Sequence, residues 1–252
     1  MTFKTTIGKD GIGNICLSHP PVNALDSKGW NELAFELKRL SKLEDLKVLI
    51  LSAKGKGFCA GVDIKELSED EEKIVDLNKG CYETFRAIRK CSVPVIASVH
   101  GFCLGGGIGL VGACDIVVAS QDAYFGLPEV DRGALGAASH LARMFPLQHV
   151  RRMMFTAEPI NAEEAYRLGA IEKVVEKEKV MEAALTIAKK IAKKSPIAIR
   201  LAKESLNGIE PHDVDKSYLY EQGFTLKLYQ SDDSTEARKA FVEGRKAKFK
   251  NK

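Results

Sequence analysis

The sequence predicts an α/β protein: a core of buried parallel strands with crossover helices, then a helical C-terminal region. Three observations carry this. Short apolar runs such as Val48-Leu49-Ile50-Leu51-Ser52 and Asp115-Ile116-Val117-Val118-Ala119 alternate with amphipathic helical segments over the first two-thirds of the chain. Glycine-rich loops follow two of the strand-like runs, at Ala53 to Gly61 and Gly101 to Gly109. From about Ser139 onward the segments read as helices.

Taken in order, Asn14 to Ser18 is a short apolar strand and His19 to Ala24 a turn. Asp26 or Ser27 caps a helix running to about Lys42, with Trp30, Leu33, Ala34, Leu37 and Leu40 on one face. Val48 to Ser52 is a buried strand, and Lys73 to Lys90 a second amphipathic helix. Val93 to Val99 is a strand with Pro94 at its start, where a missing N–H is tolerated. Leu110 to Cys114 reads as a short apolar helix and Asp115 to Ala119 as another buried strand. Asn161-Ala162-Glu163-Glu164 is a capping box for a helix ending near Gly169. Glu178 to Lys194 sets Met181, Leu185, Ala188, Ile191 and Ala192 against a lysine face. Ile197 to Leu206 and Val214 to Tyr229 are further helices, and Ala237 to Lys252 is a basic amphipathic tail. The expected division is an α/β core over 1–195 and a helical oligomerisation region over 196–252.

Composition excludes several classes. The 252 residues are 45% hydrophobic and 29% charged, which is ordinary for a globular chain. Lys and Arg number 38 against 34 Asp and Glu, a net charge of +4. That is too weakly basic for a dedicated nucleic-acid binder, but it suits an anionic small ligand. The six cysteines form no CxxC pair, so buried thiols are expected, with no metal site and no disulfide framework. Met1 to Thr6 lacks a signal-peptide pattern, and no apolar run approaches the roughly 18 residues of a membrane span. A cytoplasmic protein with no membrane partner is expected.

The chemistry points to the two loops, Phe58-Cys59-Ala60-Gly61-Val62-Asp63 and Gly101-Phe102-Cys103-Leu104-Gly105-Gly106-Gly107-Ile108-Gly109. Each follows a buried strand and leads towards a helix. Glycines let a ligand approach the backbone, and free N–H groups at a helix start attract negative charge. At the ends of neighbouring strands, two such loops can aim two N–H donors at one oxygen. The same glycines also suit tight turns and close helix–strand packing. Gly107-Ile108-Gly109-Leu110-Val111-Gly112 matches GxGxxG, but no acidic residue ends a strand about 20 residues on, as a dinucleotide site requires.

On these loops the sequence resembles the crotonase (enoyl-CoA hydratase/isomerase) family over nearly the whole chain. Pro21-Val22-Asn23-Ala24-Leu25, Phe125-Gly126-Leu127-Pro128-Glu129 and Lys246-Ala247-Lys248-Phe249 extend the match in order. The resemblance implies a ββα spiral core, a helical trimerisation region, and a homotrimer or dimer of trimers. It implies an acyl-CoA thioester substrate, with CoA part of the substrate and no separate cofactor or metal. It places the backbone N–H groups of Val62 and Gly106 on the thioester oxygen. Ala24, Ala60, Asp63 and Ile64 then lie along the adenine and pantetheine, and Arg245 and Lys246 meet the phosphates.

Hydratases of the family carry two glutamates. Glu129 matches one of them, and the other falls on Gly109. A lone carboxyl still serves as a single acid or base. The resemblance therefore leans to double-bond isomerisation or to carbon–carbon hydrolysis. Pro128 to Leu141 resembles a subgroup of bacterial steroid degradation that opens the ring of a cyclic diketone CoA ester. True hydration and acyl-CoA binding without turnover are the alternatives. Asp131 is either a second acid or a partner of Arg132, and His140 either donates a proton or packs. His100 packs under the second loop, and Glu83 faces either the pocket or solvent.

Overall fold

The structure, a computed structural model, describes residues 2–250. β1 (Phe3–Ile7) and β2 (Ile12–Leu17) pair antiparallel, and β3 (Ala24–Leu25) leads into α1 (Ser27–Leu40). Asp26 caps α1 by accepting from the Gly29 N–H at 2.7 Å, and the five apolar residues of its expected face are all buried. Next come β4 (Val48–Ala53), β5 (Gly61–Val62), α2 (Ile64–Glu69) and α3 (Ile74–Arg89). β6 (Val95–Val99), β7 (Phe102–Leu104) and α4 (Gly106–Ala113) form a third such unit. β8 (Ile116–Ser120) and β9 (Tyr124–Gly126) lead into a 3-10 turn at Pro128–Arg132. The unit is a ββα step: a long strand enters the main sheet, a short one enters a second sheet, and a helix or turn returns.

α5 (Ala138–Met144), α6 (Leu147–Thr156), β10 (Ile160–Asn161), α7 (Ala162–Arg167) and β11 (Lys173–Val175) follow. The chain ends in α8 (Val180–Ala192), α9 (Pro196–Ile209), α10 (Val214–Tyr229) and α11 (Asp232–Glu243). The main sheet has the order β1-β2-β4-β6-β8-β11, and every pair after β1–β2 is parallel. The smaller sheets are β10-β9-β7 and β3-β5.

Both faces of the main sheet are covered, which is why its strands read as unbroken apolar runs. On β4, Leu49 and Leu51 face the core under α1 and α3, whereas Val48 and Ile50 face a second cluster with Ala184 and Ala188 of α8. The period of two along a strand divides them.

Three expectations are corrected. The part beyond Ser139 is not all helix, because β10 joins the three-stranded sheet and β11 the main one. These strands, of 2 and 3 residues, are too short to show a period. The most buried stripe of α8 is Val180, Ala183, Ala184 and Ala188, so Met181, Leu185 and Ile191 sit at its flanks. The tail is helical only to Glu243, where Gly244 ends α11 in a left-handed cap. Among the described residues no helix is long and apolar enough to cross a membrane.

Candidate active site

β3 and β5 bring the first loop to the site. Ala24 pairs with Gly61 and Leu25 with Val62 in parallel register. The Ala60 N–H donates to the Val22 carbonyl at 3.1 Å, and the Asp63 N–H donates to the Leu25 carbonyl at 2.9 Å. Gly61, at φ +96°, turns the extended run between these two bonds. Asn23 locks the turn beneath, its amide donating to the Lys54, Gly57 and Phe58 carbonyls at 2.8, 3.0 and 3.1 Å.

The two loops meet backbone to backbone. Gly61 has φ +96°, and a Cβ on it would stand 2.8 Å from the Gly106 nitrogen. Gly106 opens α4, and the leading N–H groups of a helix have no acceptor within it. The ring of fully buried Trp30 lies directly behind Gly106. The strand end of one loop, the helix start of the other and the rigid ring behind them enclose a cradle, the kind of place where backbone N–H groups can meet an oxyanion.

Glu129 faces this cradle from the 3-10 turn, with Oε1 2.6 Å from where a Cβ on Gly105 would lie. The residue is half-buried, but its carboxyl end is enclosed, and Oε2 has no hydrogen-bond partner. Burial pushes its pKa up to about 8, and the Glu221 carboxylate adds to the rise. Glu221 itself comes from α10. It caps the start of α5 by accepting from the Ala138 and Ser139 N–H groups at 3.0 and 2.7 Å, and burial pushes it up to about 7.

A largely apolar cavity of about 260 Å³ runs beside these groups, lined by Ala24, Ala60, Val62, Asp63, Ile64 and Glu129 among others. A smaller space of about 50 Å³ adjoins it, sharing Val62, Leu67, Glu129, Ala134 and Tyr229, and it adds Gly106. The C-terminal helices roof both spaces: Tyr218, Thr225 and Tyr229 come from α10 and Phe241 from α11. α11 is pinned to the turn after Glu129 by the Ser234 hydroxyl, which donates to the Gly133 carbonyl at 2.5 Å.

The other residues expected at the site are placed as follows. Asp131 is exposed, lines neither space and forms no ion pair with Arg132 among the described residues. His140 is 1% exposed within α5, edge-on to Phe85 and Tyr218, and both its ring nitrogens are unpartnered. Burial, helped by Arg143 and Arg89, pushes it down to about 3, so the ring is neutral. Arg245 is exposed and held by Glu236 and Glu243, and Lys246 is exposed. Glu83 pairs with Lys38 on the surface, and His100 Nε2 meets the Gly55 carbonyl at 3.0 Å.

Four site residues escape sequence reasoning. The Arg132 guanidinium stacks 3.7 Å over the Phe241 ring and lines the larger cavity. Asn78 lines the smaller one. Glu221, on α10, lines neither space but acts on Glu129 through its charge. Phe85 fills the space at Gly109: a Cβ there would lie 2.1 Å from its ring, and the ring is wedged against Trp30, His140 and Tyr218. Gly109→Glu is therefore expected to lose stability, by about 1–3 kcal/mol from overpacking alone. It should gain no hydration of a linear enoyl-CoA. Thermal melting and a hydration assay check this, and an equally stable variant with new hydratase activity would refute it.

The sequence profile of the family described as enoyl-CoA hydratase/isomerase matches residues 8–252. A Rhodococcus jostii protein named (7aS)-7a-methyl-1,5-dioxo-2,3,5,6,7,7a-hexahydro-1H-indene-carboxyl-CoA hydrolase is 49% identical, over 96% of this chain and 95% of its own. A Mycobacterium tuberculosis protein of the same name is 47% identical, over 96% of this chain and 99% of its own. The solved enoyl-CoA hydratase/isomerase of Pseudoalteromonas atlantica superposes with a TM-score of 0.88 at 23% identity, covering 99% of this chain and 100% of that one. The chain is an enzyme of the enoyl-CoA hydratase/isomerase (crotonase) family.

Proposed function

We propose that this enzyme hydrolyses a carbon–carbon bond in a cyclic diketo acyl-CoA thioester, opening the ring. The observation that carries the reading is the enclosed carboxyl of Glu129 facing the junction of the two glycine loops, with the space at Gly109 filled by the Phe85 ring. The dioxo-indene CoA named for the two relatives supplies the substrate class.

The thioester oxygen accepts from the Val62 and Gly106 N–H groups. Glu129 takes a proton from water as the water oxygen adds to the ring ketone carbon. The bond from that carbon to the thioester α-carbon breaks, and its electron pair becomes the enolate held in the cradle. Glu129 then returns the proton to the α-carbon, and the former ketone carbon leaves as a carboxylic acid, which gives its proton to solvent and becomes a carboxylate. Arg132 supplies a positive charge to that carboxylate. The backbones of Ala24, Ala60, Asp63 and Ile64 carry the CoA arm. Arg245 and Lys246 reach the phosphates once Arg245 exchanges its carboxylate partners. Asp131 and His140 act as supports in this reading, one exposed and one neutral within the aromatic cluster.

Exposed Ile197, Leu201 and Ile209 on α9 support a homotrimer or dimer of trimers, and six unpaired thiols support a reducing, cytoplasmic setting. The test is mass spectrometry after incubation with a dioxo-hexahydroindene-carboxyl-CoA and with a linear enoyl-CoA. A ring-opened acid one water heavier is expected from the first. Hydration of the second alone, or an isomer of unchanged mass, overturns the reading.

A further inference from the structure

We propose that the side-chain amide of Asn78, set beside Glu129 in the inner space of the cavity, hydrogen-bonds an oxo group of the acyl ring and selects oxygenated rings over hydrocarbon ones. The inference rests on the acyl-CoA reading above and concerns the acyl ring, not the thioester oxygen.

Asn78 lies on α3 between Leu77 and Gly80, with Ile74 and Cys81 on the same wall of the inner space. Leu67, Ala134, Leu135 and Ala137 close it from the other elements. The lining is apolar with five polar exceptions. One is the Thr225 hydroxyl, which donates to the Leu135 carbonyl at 2.5 Å. Tyr218, Tyr229, Glu129 and Asn78 are the others. The backbone of Asn78 is also satisfied, its carbonyl accepting from Gln222 Nε2 at 2.7 Å. Its side-chain nitrogen is not: it is out of solvent contact and has no hydrogen-bond partner.

An amide donor left in that state is costly, and an acceptor on a ligand in the space it lines would relieve that cost. A saturated or enoyl tail would fill the space and leave the donor unpaired. A ring carrying an oxo group would supply the acceptor. Sites built to bond a polar group reject the analogue that lacks it far more strongly than apolar pockets reject a missing methylene. Glu129 Oε2, the other unpartnered atom lining the space, is engaged in the chemistry. Asn78 is therefore the group free to read the ring.

The test uses ring acyl-CoAs that the proposed reaction cannot consume, because their oxo group is not adjacent to the α-carbon. These are 3-oxo- and 4-oxocyclohexane-carboxyl-CoA, set against cyclohexane-carboxyl-CoA, with affinities from titration calorimetry. The wild-type chain is expected to prefer at least one oxo ring about 10-fold or more. Asn78→Leu should erase that preference, mainly by tightening the hydrocarbon ring. Asn78→Ala, which adds no bulk, should erase it too, and melting curves confirm that each variant folds. A general packing defect would weaken all three ligands alike, and that outcome overturns the proposal. So does a wild-type protein without preference, or a variant that keeps it. Ring opening of the dioxo-hexahydroindene substrate is measured in parallel. Failure there with an intact Asn78-dependent preference would sink the reaction and spare the inference.

Discussion

Glu129→Gln is expected to lower turnover by about 10²–10⁴-fold while acyl-CoA affinity stays within a few-fold of wild type. The change keeps the shape of the side chain and removes its proton chemistry. The carboxyl faces the cradle with Oε2 unpartnered, so the amide breaks no hydrogen bond at that oxygen. Stopped-time assays of product and calorimetric titration with an inert acyl-CoA separate the two effects. A wild-type rate in the variant would remove Glu129 from the mechanism. The pH profile gives a second readout. With its pKa pushed up to about 8 by burial, the carboxyl is mostly protonated at neutral pH in the empty site. The base form grows as pH rises, so kcat/KM should climb through that value, and the variant should lose this limb. The sign for stability is opposite. The folded value lies above the ordinary 4.5, so this carboxyl's contribution is full below pH 4.5 and is lost as pH rises through about 8. The Gln variant should show a flatter stability profile across that window.

Gly61→Ala is expected to cost about 10²–10³-fold in turnover, the scale of one lost oxyanion donor. Two observations give this weight. The residue sits at φ +96°, where a side chain is strained, and its Cβ would press on the Gly106 nitrogen at 2.8 Å and the Leu104 carbonyl at 3.1 Å. The loops must part, and the proposed pair of donors, Val62 and Gly106, parts with them. Substrate binding along the CoA arm should suffer less than kcat, because the cradle acts mainly on charge that develops in the transition state. Gly208→Ala on α9, where a Cβ meets nothing within 4 Å, is the matched control and should leave turnover unchanged. Equal turnover in Gly61→Ala and wild type would show that the cradle does not work through this contact.

Much of this site was legible in the chain. The Asp26 cap and the Asn161 cap are satisfied as the motifs predict, each side chain accepting a backbone N–H. The central strands fall where the apolar runs fall. Glu129 and the two loops converge, as a matched order of motifs requires. The capping box at Asn161 is only half used, because the Glu164 carboxylate turns to Arg167 instead of reaching back. β10 and β11 were invisible because they rest on pairing with distant strands, not on a period of their own.

What the sequence determined is local: periodicity, caps, glycines at strand ends, and one carboxyl after Leu127-Pro128. These signals span a few residues, and the forces behind them, hydrogen bonding within a turn and burial of one face, act over the same span. What only the tertiary structure decided lies at long separation. Phe85 closes the space at Gly109 because α3 packs across α4. Glu221 caps α5 across 82 residues, and Ser234 pins the turn after Glu129 across 101. Asn78 becomes an unpartnered donor only once α10 and the Ala134 to Ala137 segment close over it. The region from 196 onward therefore does more than its composition suggested, since α10 and α11 roof the cavity. Packing is a property of surfaces brought together by the whole fold, and no window of sequence contains both partners.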